Sequence, residues 1–297
     1  MMANKIALVG IGKIAHDQHI PVINSDPDWE LAATVSRNAS VDGIDSYTSM
    51  EALLDARPDI SVISLAIPTE PRFDYARKAL EAGRHVMLEK PPGASLAECI
   101  TLEKLARQRG VCLYATWHSQ HADGIREARD WLAERTLKRL HINWKEDVRA
   151  FHPGQEWIWE PSGLGVFDPG INALSIMTRI LPDAVHLNAA KLEVPANRQT
   201  PIAAKLHFYH PDGADIRAEF DWRQQGDPVW EISIETEDDA LELAFGASSL
   251  NTEYKRLYRQ MSTLCENNAV DMDLSPLTHV ADACLLGRRI SVEPFHF

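Results

Sequence analysis

The sequence predicts two domains: an N-terminal α/β domain with a doubly wound parallel sheet, and a C-terminal α+β domain with a largely antiparallel open sheet. Three observations carry this. Short β-branched runs alternate with longer amphipathic runs through residues 5–117. A glycine-rich turn follows the first of those runs directly. Beyond Trp131-Leu132 the apolar period changes to two, with few helical stretches between the runs. Strict strand–helix alternation means a parallel sheet with helices on both faces. A period of two means antiparallel strands with one solvated face.

In order, the first strands are read at Ile6–Val9, Leu31–Val35, Ile60–Ile67, His85–Leu88 and Val111–Ala115. Between them, Arg72–Ala82 and Leu96–Arg109 carry apolar residues at i, i+3 and i+4, and Gly83 and Gly110 stand where C-terminal caps belong. The second set of strands is read at Leu140–Trp144, Ala203–Tyr209, Ile216–Trp222, Val229–Glu235 and Leu241–Ala244. Asp212-Gly213 is a hairpin signal between two of them. One helix, Pro169–Leu181, is expected to cover this sheet. The boundary is placed at residues 1–118 and 119–297, with the last helix, about 277–287, a candidate to pack back on the first domain.

With 297 residues, the chain is long for one core and comfortable for two. Its 45% hydrophobic and 25% charged residues are the ordinary globular balance. A formal net charge of −13 argues against a nucleic-acid partner, whose footprint would be basic. No apolar run approaches the ~20 residues needed to span a bilayer, and the opening Met-Met-Ala-Asn-Lys has no secretory h-region. Cys99, Cys112, Cys265 and Cys284 are widely spaced and form no C-x-x-C, so they read as thiols of a reducing compartment. The expectation is a cytoplasmic protein with no membrane and no metal. His16 and His19 lie three apart on the first helix without further ligands nearby, and no G-x-S-x-G elbow supports acyl transfer.

Gly10-Ile11-Gly12-Lys13-Ile14-Ala15 follows the first strand and opens a helix, the setting that the dinucleotide fingerprint requires. The first glycine permits the tight turn, the second admits the pyrophosphate to the backbone, and Ala15 keeps helix and strand close. This makes the first domain a candidate Rossmann domain. The second strand ends Val35-Ser36-Arg37-Asn38, with no carboxylate for a ribose 2′-hydroxyl. A hydroxyl and a guanidinium suit a 2′-phosphate instead, which predicts NADP as preferred over NAD. The plainer alternative is that Arg37 is a solvated loop residue. Ligands of doubly wound sheets bind at the carboxyl ends of strands. That rule adds Pro68, Glu89 and Lys90 to the cofactor set and places Lys90 where substrate meets cofactor. Lys90-Pro91 is also expected to be able to adopt a cis bond.

These motifs, with long strings elsewhere, resemble the glucose–fructose oxidoreductase/inositol dehydrogenase family over essentially the whole chain. Within it the sequence is similar to bacterial aldose 1-dehydrogenases that act on L-arabinose and D-galactose. The strings are Ala115-Thr116-Trp117-His118-Ser119, Trp144-Lys145-Glu146-Asp147-Val148, His152-Pro153-Gly154-Gln155, and Trp157-Ile158-Trp159-Glu160-Pro161 running on to Gly165-Val166-Phe167-Asp168-Pro169-Gly170-Ile171-Asn172-Ala173. The wider family carries histidine where Asn172 stands. Asparagine cannot take up the proton, which leaves the base as Asp168 or Lys90.

The resemblance implies oxidation of the anomeric hydroxyl of an aldose to a lactone, with hydride passing to NAD(P)+. Lys90, Asp168 and Asn172 are then the catalytic set, with Asp168 assigned as base, Asn172 orienting O1 and Lys90 stabilising charge. His118, Glu146 and His152 join the sugar site by resemblance. Trp159 and Trp230 join it because amphipathic rings suit a pyranose face, while Trp144 and Trp222 read as core. Asp168 before Pro169 also reads as an ordinary helix N-cap. The family further implies a homodimer through the C-terminal sheet. Two alternatives stay open: a related oxidoreductase for another sugar or cyclic polyol, and a catalytically silent NADP-sensing regulator.

Overall fold

The computed structural model describes residues 3–246 and 250–297. The chain divides into two compact units, one formed by residues up to His121 with Leu250–Leu274, the other by Ala122–Ser249 with Ser275–Phe297.

In unit 1, β1 (Asn4–Val9) leads into a helical stretch in which one π-turn, Ala15–His19, precedes α1 (Ile20–Ser25). There follow β2 (Trp29–Val35), β3 (Asp45–Tyr47), α2 (Met50–Ala56), β4 (Val62–Leu65), α3 (Thr69–Glu81), β5 (His85–Glu89), α4 (Leu96–Arg109) and β6 (Leu113–Thr116). Ser49 and Ser95 cap α2 and α4 by accepting from the amides of Ala52 and Glu98. Gly110 ends α4 in the left-handed region at φ 65°, and Gly83 follows α3 at φ 73°. Both glycines therefore stop their helices as the sequence predicts.

Unit 2 opens with α5 (Ile125–Leu132), β7 (Leu137–Lys145), α6 (Val148–Phe151) and α7 (Phe167–Ile180). It continues with β8 (His186–Pro195), β9 (Ala203–Tyr209), β10 (Asp215–Asp221), β11 (Val229–Thr236) and β12 (Ala240–Ala244). Along β10, Ile216, Ala218 and Phe220 are buried while Arg217 is exposed. The apolar set faces α7, where Gly170 lets the backbone come down on the Phe220 ring; a Cβ there would lie 3.1 Å from ring carbons.

The chain then returns to unit 1 as α8 (Leu250–Glu266) and β13 (Val270–Asp271), and ends in unit 2 as α9 (Ser275–Leu286) and β14 (Arg288–Val292). The first sheet has the order β13-β6-β5-β4-β1-β2-β3 and is parallel throughout. The second runs β12-β11-β7-β10-β9-β8-β14 and is mixed, with β7–β10 and β8–β14 parallel and the remaining pairs antiparallel.

Two boundary expectations change. Residues 250–274 belong with unit 1, because α8 buries Tyr254, Leu257, Tyr258, Met261 and Leu264 among the side chains of β1, β2 and β5. Each fully buried leucine or methionine of that face contributes roughly 1.5–3 kcal/mol. The last helix, α9, packs instead on α7 and β8 within unit 2. Among the described residues no helix is long and apolar enough to cross a membrane.

Candidate active site

Unit 1 presents a dinucleotide cradle. The Gly10 amide donates to the Val35 carbonyl at 2.9 Å, and its φ of +89° belongs to the region glycine favours. A Cβ on Gly10 would lie 2.6 Å from the Ala66 carbonyl oxygen, whereas one on Gly12 would meet nothing within 4 Å. The loop is thus seated by one glycine and left open at the other, where a pyrophosphate needs access. Ala15 is fully buried behind it, Ile14 half-buried, and Lys13 exposed and ion-paired with Asp17. Ser36 is fixed by its amide to the Tyr47 carbonyl at 3.0 Å, Arg37 beside it is exposed, and Pro68 caps α3. These residues fit a dinucleotide.

Beneath Lys90 lies a network that the sequence does not announce. Glu89 is 6% exposed, and its Oε1 accepts from the Tyr254 hydroxyl at 2.7 Å and lies 3.0 Å from His19 Nε2. Its Oε2 accepts the Lys90 amide at 3.1 Å. His19 Nδ1 meets the Tyr258 hydroxyl at 2.7 Å. Glu89 was expected to contact the dinucleotide; its carboxylate instead points inward and is held inside unit 1. Burial pushes this carboxyl up, but the hydrogen bond and charge of His19, the His118 charge and the Tyr254 hydroxyl outweigh it and hold it at about 2. Burial, reinforced by the Glu89 charge, raises Tyr254 well above its ordinary value, so the phenol stays a donor. Arg72, from α3, donates to the carbonyls of Ile67, Glu89 and Pro91, tying the loops after β4 and β5 together. The Lys90-Pro91 bond is cis. His118 is buried, with Nδ1 2.7 Å from Glu253 Oε2 and its ring stacked on Tyr254.

Sequence reasoning set His19 aside and missed Glu253, Tyr254 and Tyr258. The i, i+4 tyrosines were visible as a helical face, but a one-residue π-insertion that turns His19 inward leaves no local signal.

Unit 2 gathers a second polar cluster. Glu146 follows β7 and is 3% exposed; His152 lies in the loop after α6; Asp168, 8% exposed, lies in the first turn of α7. His152 Nε2 stands 3.6 Å from Asp168 Oδ2 and 3.9 Å from Glu146 Oε1, so the imidazole lies between two carboxylates. Trp230 Nε1 donates to Glu146 Oε2 at 2.9 Å, and its ring stacks on Trp144. Asn172, one turn along α7, has a buried Oδ1 with no hydrogen-bond partner. A buried acceptor left unsatisfied is costly unless something else fills it.

Two expectations are corrected here. Asp168 is not the N-cap: α7 starts at Phe167, two residues earlier than expected, Val166 stands at the cap position without a side-chain bond, and the carboxylate sits within the first turn, where the helix dipole favours negative charge. Trp159 offers no face to a sugar. It is 1% exposed and enclosed by Trp222 at 5.2 Å, Phe295 at 5.1 Å and the Arg198 guanidinium at 5.4 Å. Trp144 and Trp222 are core, as read from their strands.

The chain is similar over its whole length to known proteins. Galactose 1-dehydrogenase from Pseudomonas fluorescens is 41% identical, covering 100% of both chains. The crystal structure of a D-galactose-1-dehydrogenase from Rhizobium etli superposes with a TM-score of 0.95 at 48% identity, over 100% of this chain and 99% of that one. A 3-ketoreductase from Actinomadura kijaniata in complex with NADP and TDP-benzene shares the fold, with a TM-score of 0.79 at 17% identity over 98% and 99%. Residues 4–116 match the oxidoreductase family with an NAD-binding Rossmann fold, and with full-length relatives at this level the chain belongs to that family.

Proposed function

We propose that the protein is an aldose 1-dehydrogenase that oxidises the anomeric hydroxyl of D-galactose or L-arabinose to the lactone. The observation that carries this is the cluster of Glu146, His152, Asp168 and the unpartnered Asn172 Oδ1. Such a set of nearly buried donors and acceptors has the chemistry of a site for vicinal hydroxyls. The identity of the whole chain to two galactose 1-dehydrogenases supports it.

A bound nicotinamide dinucleotide would supply the hydride acceptor. In the reading proposed, Asp168 accepts the proton of the anomeric hydroxyl as the C1–H bond breaks. Asn172 orients O1, and Lys90 contributes positive charge against the developing alkoxide. Glu146, His152, His118 and Trp230 bind or position the remaining hydroxyls. Arg37, exposed at the end of β2 with no carboxylate beside it, supports NADP over NAD. D-galactose and L-arabinose differ only at C5, a difference worth ~1–3 kcal/mol in a pocket. Both are therefore expected as substrates.

Purified protein is to be offered a panel of aldoses and cyclic polyols with each dinucleotide while nicotinamide absorbance is followed. Turnover is expected with D-galactose and L-arabinose and higher efficiency with NADP. Tight dinucleotide binding without turnover of any aldose would overturn the proposal and favour a dinucleotide-sensing regulator.

A further inference from the structure

We infer that Phe295 is a positioning residue for the sugar site, setting the His152 imidazole on Asp168 and Glu146 through a chain of packed rings; this rests on the function proposed above.

The loop from Val148 to Trp159 carries His152 but contains only one short helix and one 3-10 turn, so the sheet ladder does not hold it. Backbone bonds tie its start to Trp222 and its C-terminal half to Gly165 and Gln199, and the far end of the chain adds a further hold. β14 and β8 run parallel and finish side by side at Val292 and Pro195. The Ala196 amide donates to the Val292 carbonyl, and both chains leave the sheet together. Asn197 then grips Phe295 at two points: its Nδ2 donates to the Phe295 carbonyl and its Oδ1 accepts the Phe295 amide, both at 2.9 Å. With its backbone fixed this way, Phe295 turns its ring into unit 2 and is 6% exposed.

That ring touches both ends of the loop. The Arg149 guanidinium lies over it at 4.5 Å, and Arg149 Nη2 donates to the next carbonyl, that of His296, at 3.0 Å. Trp159 packs against it with ring centroids 5.1 Å apart. From Trp159 the contact passes to Trp222 at 5.2 Å and from Trp222 to His152 at 5.4 Å. Arg149 lies three residues before His152, whose amide donates to the Val148 carbonyl at 2.8 Å. Two routes therefore run from one ring to one imidazole, through Arg149 and through the tryptophans. Interiors at this density transmit displacement, and a shift of about 1 Å at a reacting geometry can cost about a hundredfold. Trp159 thus acts on the sugar from behind His152.

The test is a double-mutant cycle on the full chain, with KM and kcat for D-galactose, NADP affinity by fluorescence titration, and melting temperature. Phe295→Ala is expected to raise KM for the sugar about tenfold or more while NADP affinity stays within about twofold. Phe295→Leu, which restores bulk, is expected to recover most of that loss. In a His152→Ala background, Phe295→Ala is expected to add little further loss, because residues acting on one contact do not add. Full additivity of the two losses in KM, or a lower melting temperature with unchanged KM, would overturn the inference. If Phe295→Ala does not fold, Asn197→Ala, on an exposed turn, decides: a smaller rise in KM supports the inference, and none ends it. A wild-type chain that binds NADP but oxidises no aldose sinks the function and this inference with it. An active wild type with an unchanged Phe295→Ala KM sinks the inference alone.

Discussion

The two units treat a nearly buried carboxylate in opposite ways. In unit 1, Glu89 has both oxygens engaged, by His19 and Tyr254 on one and the Lys90 amide on the other. In unit 2, Asp168 faces His152 across 3.6 Å, and Asn172 one turn away keeps an acceptor with no partner. The first arrangement is complete without a ligand. In the second, the Asn172 Oδ1 has hydrogen-bonding capacity to give to one. A saturated buried network stabilises and orients, whereas an unsaturated one costs stability that only a bound molecule returns. Burial alone therefore does not separate the two carboxylates; the unfilled Asn172 acceptor beside one of them does.

Three substitutions test that contrast, and the largest effect is expected in unit 2. Asp168→Asn keeps the size and removes the proton acceptor, so kcat should fall by about 10²–10⁴ while NADP affinity and stability change little. Stopped-flow turnover and cofactor titration decide; near-normal turnover would move the base to Lys90. Glu89→Gln should act on stability instead. The folded Glu89 carboxyl sits at about 2, below its ordinary 4.5, so its contribution is complete above pH 4.5 and fades as pH falls towards 2. Denaturant unfolding should show the gap between wild type and variant on the order of 3 kcal/mol near neutrality, narrowing across that interval. A gap that stays constant with pH would mean the carboxylate is not held by charge. The smallest effect belongs to Arg37→Ala, expected to weaken NADP by about 10–100-fold, the worth of a charge-assisted contact, and NAD hardly at all. Equal losses for the two cofactors would remove Arg37 from the 2′-phosphate.

Legibility in the sequence followed the same division. The dinucleotide half is read by backbone: Gly10 must be glycine because a Cβ has no room against Ala66, and that demand leaves a short, contiguous string. The proposed substrate site draws on side chains around β7, the following loop, α7 and β11, which no periodicity gathers, so Glu146 and His152 came from resemblance alone. Trp159 misled because it shares one short loop with Trp157, and only packing separates the exposed ring of Trp157 from the enclosed ring of Trp159. β8 and β14 escaped notice for different reasons. A register shift between Leu187 and Ala189 breaks the alternation of β8. β14 is an edge strand with no fully buried residue, so it has no apolar face to detect.

The return of the chain to unit 1 has a consequence for synthesis. Tyr254 and Tyr258, the partners of Glu89 and His19, lie more than a hundred residues beyond them. A ribosome adding ~5–20 residues per second makes the first six strands and then takes roughly eight to thirty seconds to deliver α8 and β13. Throughout that interval the nascent first domain holds a carboxylate–imidazole pair and an apolar sheet face without their cover. This sheet can be closed only late. An expressed fragment ending at His121 carries the whole glycine loop and should be aggregation-prone, because it stops before the helix that seals its own core.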